Sequence, residues 1–450
     1  MRWPLLLSGF ACLLPLAAAE IPLTLERAIA LALQQNRSLL NQQIALEEAR
    51  ISVTTRMEDL QWQPAGVLRG RRSETADSVE AGLALRRRLT TGGELQLFGG
   101  QTWQDPEDQT VVRLSASQPL LRNAGPLQSL EPLRRAERLE RDARRLLHER
   151  MQEVILDVVI GYEGLLRAAR QLEAENAAEA RLAARVARDR VREATGQLSR
   201  LERLRNEALL EETRLRVQNQ QDLLNQWADE FANLLGLSPE MRFALQPPPL
   251  LALDLPAPEE AEAIALTHRQ DLARALDALE EAGRQVRIAR RDLLPDLRLT
   301  GDLSGNVEGS DLSREAWFVG LVIEPDFSAG SRRAEVRQSG LRAERLEQQI
   351  EEIHRAIQLD VRGSLRNLQR AEASHRIAIR SRQVAERRLT LATRLEALEQ
   401  GDARSLAEAE EAHATAVRNE LTARSEASLA AYRVLRAMGT LLELTDGADR

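Results

Sequence analysis

The chain has 450 residues, 29% of them charged and only 3% aromatic, with a formal net charge of −7. All 62 basic residues are arginine, which excludes a P-loop lysine, a Schiff-base lysine and a Ser-Lys dyad. The arginines are interleaved with acids, so they read as solvated helix faces and leave no nucleic-acid footprint. Ala, Leu, Glu, Arg and Gln dominate the middle stretches, the profile of long helices and coiled coils.

Residues 1–19 have the layout of an export signal. Arg2 gives a positive start, LLLSGFACLLPLAA an apolar core, and Ala17-Ala18-Ala19 a cleavage site, so the mature chain is expected to begin at Glu20. Cys12 raises lipoprotein processing, but Gly9-Phe10-Ala11 before it is a poor match to a lipobox. Cleavage after Ala19 removes the chain's single cysteine and with it any disulfide or thiolate site. No later run of about 18 apolar residues could serve as a transmembrane helix.

A first unit is expected over 20–245. It opens with a helix over 24–62 (LTLERAIALALQQNRSL, with Thr24 as N-cap), followed by strands within 66–118. Glu94–Trp103 and Thr110–Ser117 alternate apolar and polar residues, and TTGG at 90–93 suits a further hairpin or an extracellular loop. RLSASQPLLRNAG (113–125) then turns from strand to helix, with Pro119 ending the pairing and Gly125 loosening the backbone. A helix over 127–195 would run on the order of 100 Å. Within it Val154, Val158, Gly161, Leu165, Ala168 and Leu172 form a coiled-coil seam. After a break at Gly196-Gln197-Leu198-Ser199, a helix returns over 198–237.

The Pro-rich segment 246–258 reads as a stiff linker. Beyond it, 259–450 repeats the order: helix 259–293, strands within 296–325, the joint LVIEPDFSAG with Pro325 and Gly330, helix 331–400, a break at QGDARS and helix 403–442. Gly125 to Gly330 and Gly196 to Gly401 are both 205 residues apart, so the unit is read as duplicated. A handful of strands cannot fold as a sandwich, and open edges are not tolerated in lipid. If these strands enter a membrane, several chains must pool them.

Taken together, LTLERAIALALQQNRSLL, RLSASQPLLRNAG, the stretch EAIALTHRQDLARALDALEEAGRQVRIARRDLLPDLRLTGDLSG, WFVGLVIEPDFSAGSRRAEVRQ and LEALEQGDARSLAEAEEAH resemble the TolC-like outer-membrane efflux proteins of Gram-negative bacteria. The resemblance spans nearly the whole mature chain. It implies a mainly α fold with membrane β: long antiparallel helical hairpins form a trimeric α-barrel, and strands are pooled into a 12-stranded outer-membrane β-barrel, with two repeats per protomer. It implies a homotrimeric exit duct for efflux or type I secretion, in contact with outer-membrane lipid, a periplasmic adaptor and an inner-membrane pump. No catalysis and no cofactor are implied. Phe98, Trp103, Trp317 and Phe318 are the candidates for the aromatic girdle.

In such proteins the helix-turn tips form the periplasmic entrance. The corresponding residues are Gly196, Ser199 and Glu202, and Gly401, Asp402, Ser405 and Glu408. Glycine permits the turn, serine caps the returning helix, and an inward-facing acid repeated three times would bind cations and make closure sensitive to pH and salt. Asp402 and Glu408 are the leading candidates. The plain alternative is that they are ordinary acids favoured in a helix's first turn. The histidines, His148, His268, His354, His375 and His413, are scattered without metal-ligand spacing, and GDLSG around Ser304 lacks the nucleophile-elbow pattern. A soluble periplasmic coiled-coil scaffold or adaptor is the alternative function. The pair of strand excursions at equivalent points favours the channel.

Overall fold

The computed structural model describes residues 21–72, 77–104, 108–251, 256–308, 311–324, 329–398 and 403–443. In chain order its elements are β1 (Ile21–Leu23), α1 (Leu25–Gln35), α2 (Arg37–Glu58), β2 (Gln63–Arg72), β3 (Asp77–Arg88), β4 (Glu94–Gln104) and β5 (Gln109–Pro119). There follow α3 (Pro126–Ser129), α4 (Glu131–Ala194), α5 (Arg200–Leu234), β6 (Phe243–Leu245), α6 (Pro258–His268) and α7 (Gln270–Arg291). The chain closes with β7 (Asp296–Glu308), β8 (Asp311–Glu324), α8 (Ala329–Ala397) and α9 (Ala403–Met438). Contacts divide it into two units, one comprising 1–40, 150–268 and 357–450, the other 41–149 and 269–356. Helices α2, α4 and α8 contribute residues to both.

The first unit is helical, with one small parallel ladder in which Ile21, Pro22 and Leu23 of β1 pair with Phe243, Ala244 and Leu245 of β6. The expected seam on α4 is buried from Val154 to Ala168. Gly161 is needed there, because a Cβ would stand 2.8 Å from the Phe231 ring. Phe231 packs edge-on against both Tyr162 and Phe243.

The second unit holds a six-stranded antiparallel sheet in the order β2-β3-β4-β5-β7-β8. The strands expected within 66–118 run over 63–119 and are four, with Thr90-Thr91-Gly92-Gly93 turning the β3–β4 hairpin, the first of the two readings of TTGG. Strand β5 and its ladder with β7 end at Pro119, which pairs with Arg298, and the Leu120 amide donates to Leu297 at 2.8 Å just beyond it.

Three expected helices are each two. The 24–62 helix breaks at Asn36, whose side chain donates to the Leu234 carbonyl at 2.7 Å and accepts from the Ser38 amide at 3.0 Å. That makes Asn36 an N-cap in mid-run, a local alternative to continued helix. The 259–293 helix breaks at Arg269, and the 127–195 helix is interrupted at Leu130, so Pro132 falls in the first turn of α4. Helix α9 already begins at Ala403, which places Ser405 inside its first turn and not at the cap. Cys12 and the rest of the expected signal segment, Pro325, Gly401 and Asp402 lie outside the described residues.

Candidate functional site

Alternation along the six strands gives the sheet two different faces. Leu68, Val79, Leu83, Leu85, Leu97, Trp103, Leu114, Leu299, Leu303, Trp317, Val319, Leu321 and Ile323 share one face by register, and all are well exposed. The opposite face carries Arg69, Glu80, Arg86, Glu94, Gln96, Thr102, Arg113, Ser115, Arg298, Thr300, Asp302 and Ser304. Several of its charges are paired: Glu80 lies 3.7 Å from Arg69 and 3.6 Å from Arg113, and Arg86 pairs with Glu94.

Two of the four girdle candidates fall on the polar face. Phe98 is buried there beneath the Arg113 guanidinium and over the Gly82–Gly100 pair, where a Cβ at either glycine would collide with its ring. Phe318 covers Gly320 in the same way. Aromatic rings laid over strand glycines fill the space that the missing side chains leave. Trp103 and Trp317 remain on the apolar face.

At one end of the sheet the strand-to-helix joint is a compact knot of turns. Gly92, Asn123 and Gly125 have φ of +89°, +62° and +81°. A Cβ on Gly92 would stand 2.3 Å from the Asn123 carbonyl, and the Gly125 amide donates to Thr91 at 2.7 Å. Arg291 donates to the Ala124 carbonyl at 2.8 Å, Gln128 to Asp292 at 2.6 Å, and Asp296 accepts from Arg298 at 3.1 Å. Gly125 thus has a left-handed backbone, which glycine adopts without steric cost. Gly330 does not: it is an ordinary helical residue in the first turn of α8, with open space around its Cβ position.

The first hairpin tip, in the helical unit, is well defined. Gly196 has φ +72°; its amide donates to Glu193 at 2.9 Å, and that of Gln197 to Arg192 at 2.8 Å, closing α4 with a Schellman-like turn. Ser199 caps α5 by accepting from the Glu202 amide at 3.2 Å, while the Glu202 carboxylate reaches back to the Ser199 amide at 3.4 Å. Arg203 then joins Glu193 at 2.5 Å to Glu207 at 2.7 Å. At the second tip Glu408 lies between Arg404 at 3.2 Å and Arg388 at 3.8 Å. Glu408 is thus paired with arginine within the chain, whereas Glu202 is held by the Ser199 cap.

Three features of the helical unit escaped sequence reasoning. Gly236 (φ +77°) lies so close to the end of α1 that a Cβ would be 2.4 Å from the Gln35 carbonyl. Gly439 (φ +79°) meets the end of α6 likewise, with His268 backbone at 3.1 Å. The helix ends are stacked on glycine C-caps at corresponding places, and the clue lay in LLGLS and AMGTL following each long run. The third is Glu163, only 4% exposed, whose carboxyl is raised above its ordinary range by burial, opposed by a Ser428 hydrogen bond and by Arg424 and Arg167. Among the described residues no cluster suited to a metal occurs and no helix is long and apolar enough to cross a membrane.

No family profile and no curated protein matches the chain in sequence. Solved structures do match. The Campylobacter jejuni CmeC outer-membrane channel superposes with a TM-score of 0.74 at 17% identity, covering 93% of this chain and 86% of that one. The outer-membrane protein VceC from Vibrio cholerae gives 0.72 at 17% identity over 92% and 96%. The outer-membrane channel OprN gives 0.70 at 18% identity over 92% and 90%. The chain has the TolC-like outer-membrane channel fold. Within that fold the interior strands of the two-faced sheet have their backbones paired on both sides.

Proposed function

We propose that this chain is the protomer of a homotrimeric outer-membrane exit duct, passively carrying substrates outward from a periplasmic adaptor and an inner-membrane pump. The observation that carries the reading is the sheet with one exposed apolar face and one ion-paired polar face. It would be an aggregation hazard in water, and it has the pattern of a barrel wall with lipid outside and water inside. The chain's two halves, each a helix pair, a strand group and a long helical hairpin, are read as two copies of one unit. Residues 1–19 act as the export signal. The tips around Gly196, Ser199 and Glu202, and around Gly401, Asp402, Ser405 and Glu408, are proposed as the periplasmic entrance and adaptor contact, with Pro119, Gly125, Pro325 and Gly330 marking the membrane boundary.

Fractionation followed by unheated gel electrophoresis tests the reading. The protein is expected in the outer membrane as a trimer that dissociates on heating; recovery as a periplasmic monomer overturns it. For the entrance, Asp402→Arg is expected to weaken cation block in planar bilayers, and an unchanged block removes Asp402 from that role.

A further inference from the structure

The sheet has two edges, β2 and β8, and among the described residues no strand lies against the outer side of either. Resting on the duct reading above, we propose that β8 of one copy pairs with β2 of the next, so that three copies close a barrel of eighteen strands. The β2–β3 hairpin is then membrane wall and not an extracellular loop.

Four observations carry this. First, β2 with 10 residues and β3 with 12 are each long enough to cross a bilayer as tilted strands. Second, β3 pairs with β4 without interruption from Arg88 and Glu94 to Ser78 and Gln104, and β2 follows β3 from Gln63 and Arg86 to Arg72 and Asp77. Third, both sheet faces continue into the hairpin. Leu68, 77% exposed, and Leu83, 70% exposed, lie on the face of Trp317, Val319, Leu321 and Ile323, while Arg69 joins Arg113 across Glu80 on the polar one. A loop in water has no use for a row of exposed leucines on one side only. Fourth, the strand directions fit. All neighbours in the sheet are antiparallel and six is even, so β2 and β8 run oppositely and a second copy extends the ladder in the same sense. One edge meeting the other is a head-to-tail contact, which closes into a ring when its rotation allows. Lipid leaves no alternative to closure, because it offers the backbone groups of an unpaired edge no partner. Since diameter grows roughly linearly with strand number, the wall would be about one and a half times as wide as a 12-stranded one.

The test uses the full-length protein, whose single native cysteine, Cys12, lies in the expected signal segment. Leu68→Cys is combined in turn with Trp317→Cys, Val319→Cys, Leu321→Cys and Ile323→Cys, and purified outer membranes are oxidised. The expected result is a reducible ladder ending at three chains, strongest at one or two of the four positions. A matching series with Leu97→Cys on β4 is expected to give none. Cross-linking from Leu97 and not from Leu68 overturns the proposal, because β4 would then be the edge. A ladder ending at two or four chains overturns the strand number. A duct that is trimeric by unheated gel yet gives these results leaves the functional reading standing, whereas a soluble monomer ends both. As a check free of substitutions, a density map of the native assembly in detergent is expected to show eighteen strands, and twelve overturns the proposal.

Discussion

A single hydroxyl, that of Tyr162, meets three backbone groups from segments far apart in the chain. It lies 2.8 Å from the Leu23 carbonyl and 2.6 Å from that of Gln246, and accepts from the Gln246 amide at 3.1 Å. Tyr162→Phe removes the hydroxyl from beside a fully buried ring and leaves the Gln246 amide and the Leu23 carbonyl only their 3.5 Å contact with each other, at an expected cost of about 1–3 kcal/mol; denaturant unfolding in detergent measures it. Its sequence neighbour Glu163 sets a pH dependence. Its carboxyl holds its proton to higher pH when folded than when unfolded, mainly because it is buried. The folded state therefore binds more protons between the unfolded carboxylate pKa and the raised one, and stability falls as pH rises through that window. Glu163→Gln is expected to flatten this part of the profile, seen as a smaller difference between melting temperatures at pH 5 and pH 8. An unchanged difference rules the residue out. Neither role was legible beforehand, because Tyr162 and Glu163 stand in an unremarkable stretch of α4 and their partners are brought to them only by the fold.

At the scale of elements, α4 and α7 are tied together by a row of polar contacts. Asp277 accepts from Arg145 at 2.7 Å and lies 3.4 Å from Arg141, Arg274 reaches Glu149 at 2.9 Å, and Gln285 reaches Glu131 at 2.6 Å. Arginine suits such seams, since its fork stays charged and is held by several acceptors at once. The hairpin at Gly196 is likewise fixed by local chemistry. Ser199→Ala should cost about 1 kcal/mol of local stability, read as faster hydrogen exchange in the first turn of α5. Glycine substitutions separate strain from crowding. Gly196→Ala meets only a left-handed backbone with open space, about 1–2 kcal/mol. Gly236→Ala adds a collision with the Gln35 carbonyl, so its melting temperature should fall clearly further. The long helices, the α4–α5 turn and its serine cap could be read from periodicity and from Gly-Gln-Leu-Ser. The breaks at Asn36 and Arg269 could not, because each depends on a cap or a packing partner that helical periodicity does not register.

For the whole molecule, strands are the instructive case. Alternation located β4, β5, β7 and β8 to within a few residues, yet β2 and β3 were left among alternatives. Their stretch, QPAGVLRGRR and DSVEAGLALRRR, is glycine- and arginine-rich, and its apolar row is carried by few residues whose meaning appears only beside β4. The two faces predict opposite responses to charge. Val319→Arg on the apolar face is expected to cost about 2–4 kcal/mol if that face meets lipid, and to deplete the heat-dissociable form from outer membranes. Thr102→Arg, opposite Glu80 on the polar face, is expected to leave that form at its normal level. Equal depletion by both would contradict the assignment of lipid and water sides.

The short ladder of β1 with β6 also bears on when the molecule can fold. Its partners, Ile21 and Phe243, are separated by nearly half the chain, and Tyr162 seals the pairing from a third place. Closing so long a loop is slow relative to forming local helices. A chain released from its N-terminus onward holds Ile21–Leu23 without a seat until Phe243–Leu245 emerge. Until then α1 has no end stop, since the Gly236 turn against which it abuts is delivered only shortly before. The N-terminal strand is thus fixed late, whatever local helices form before it.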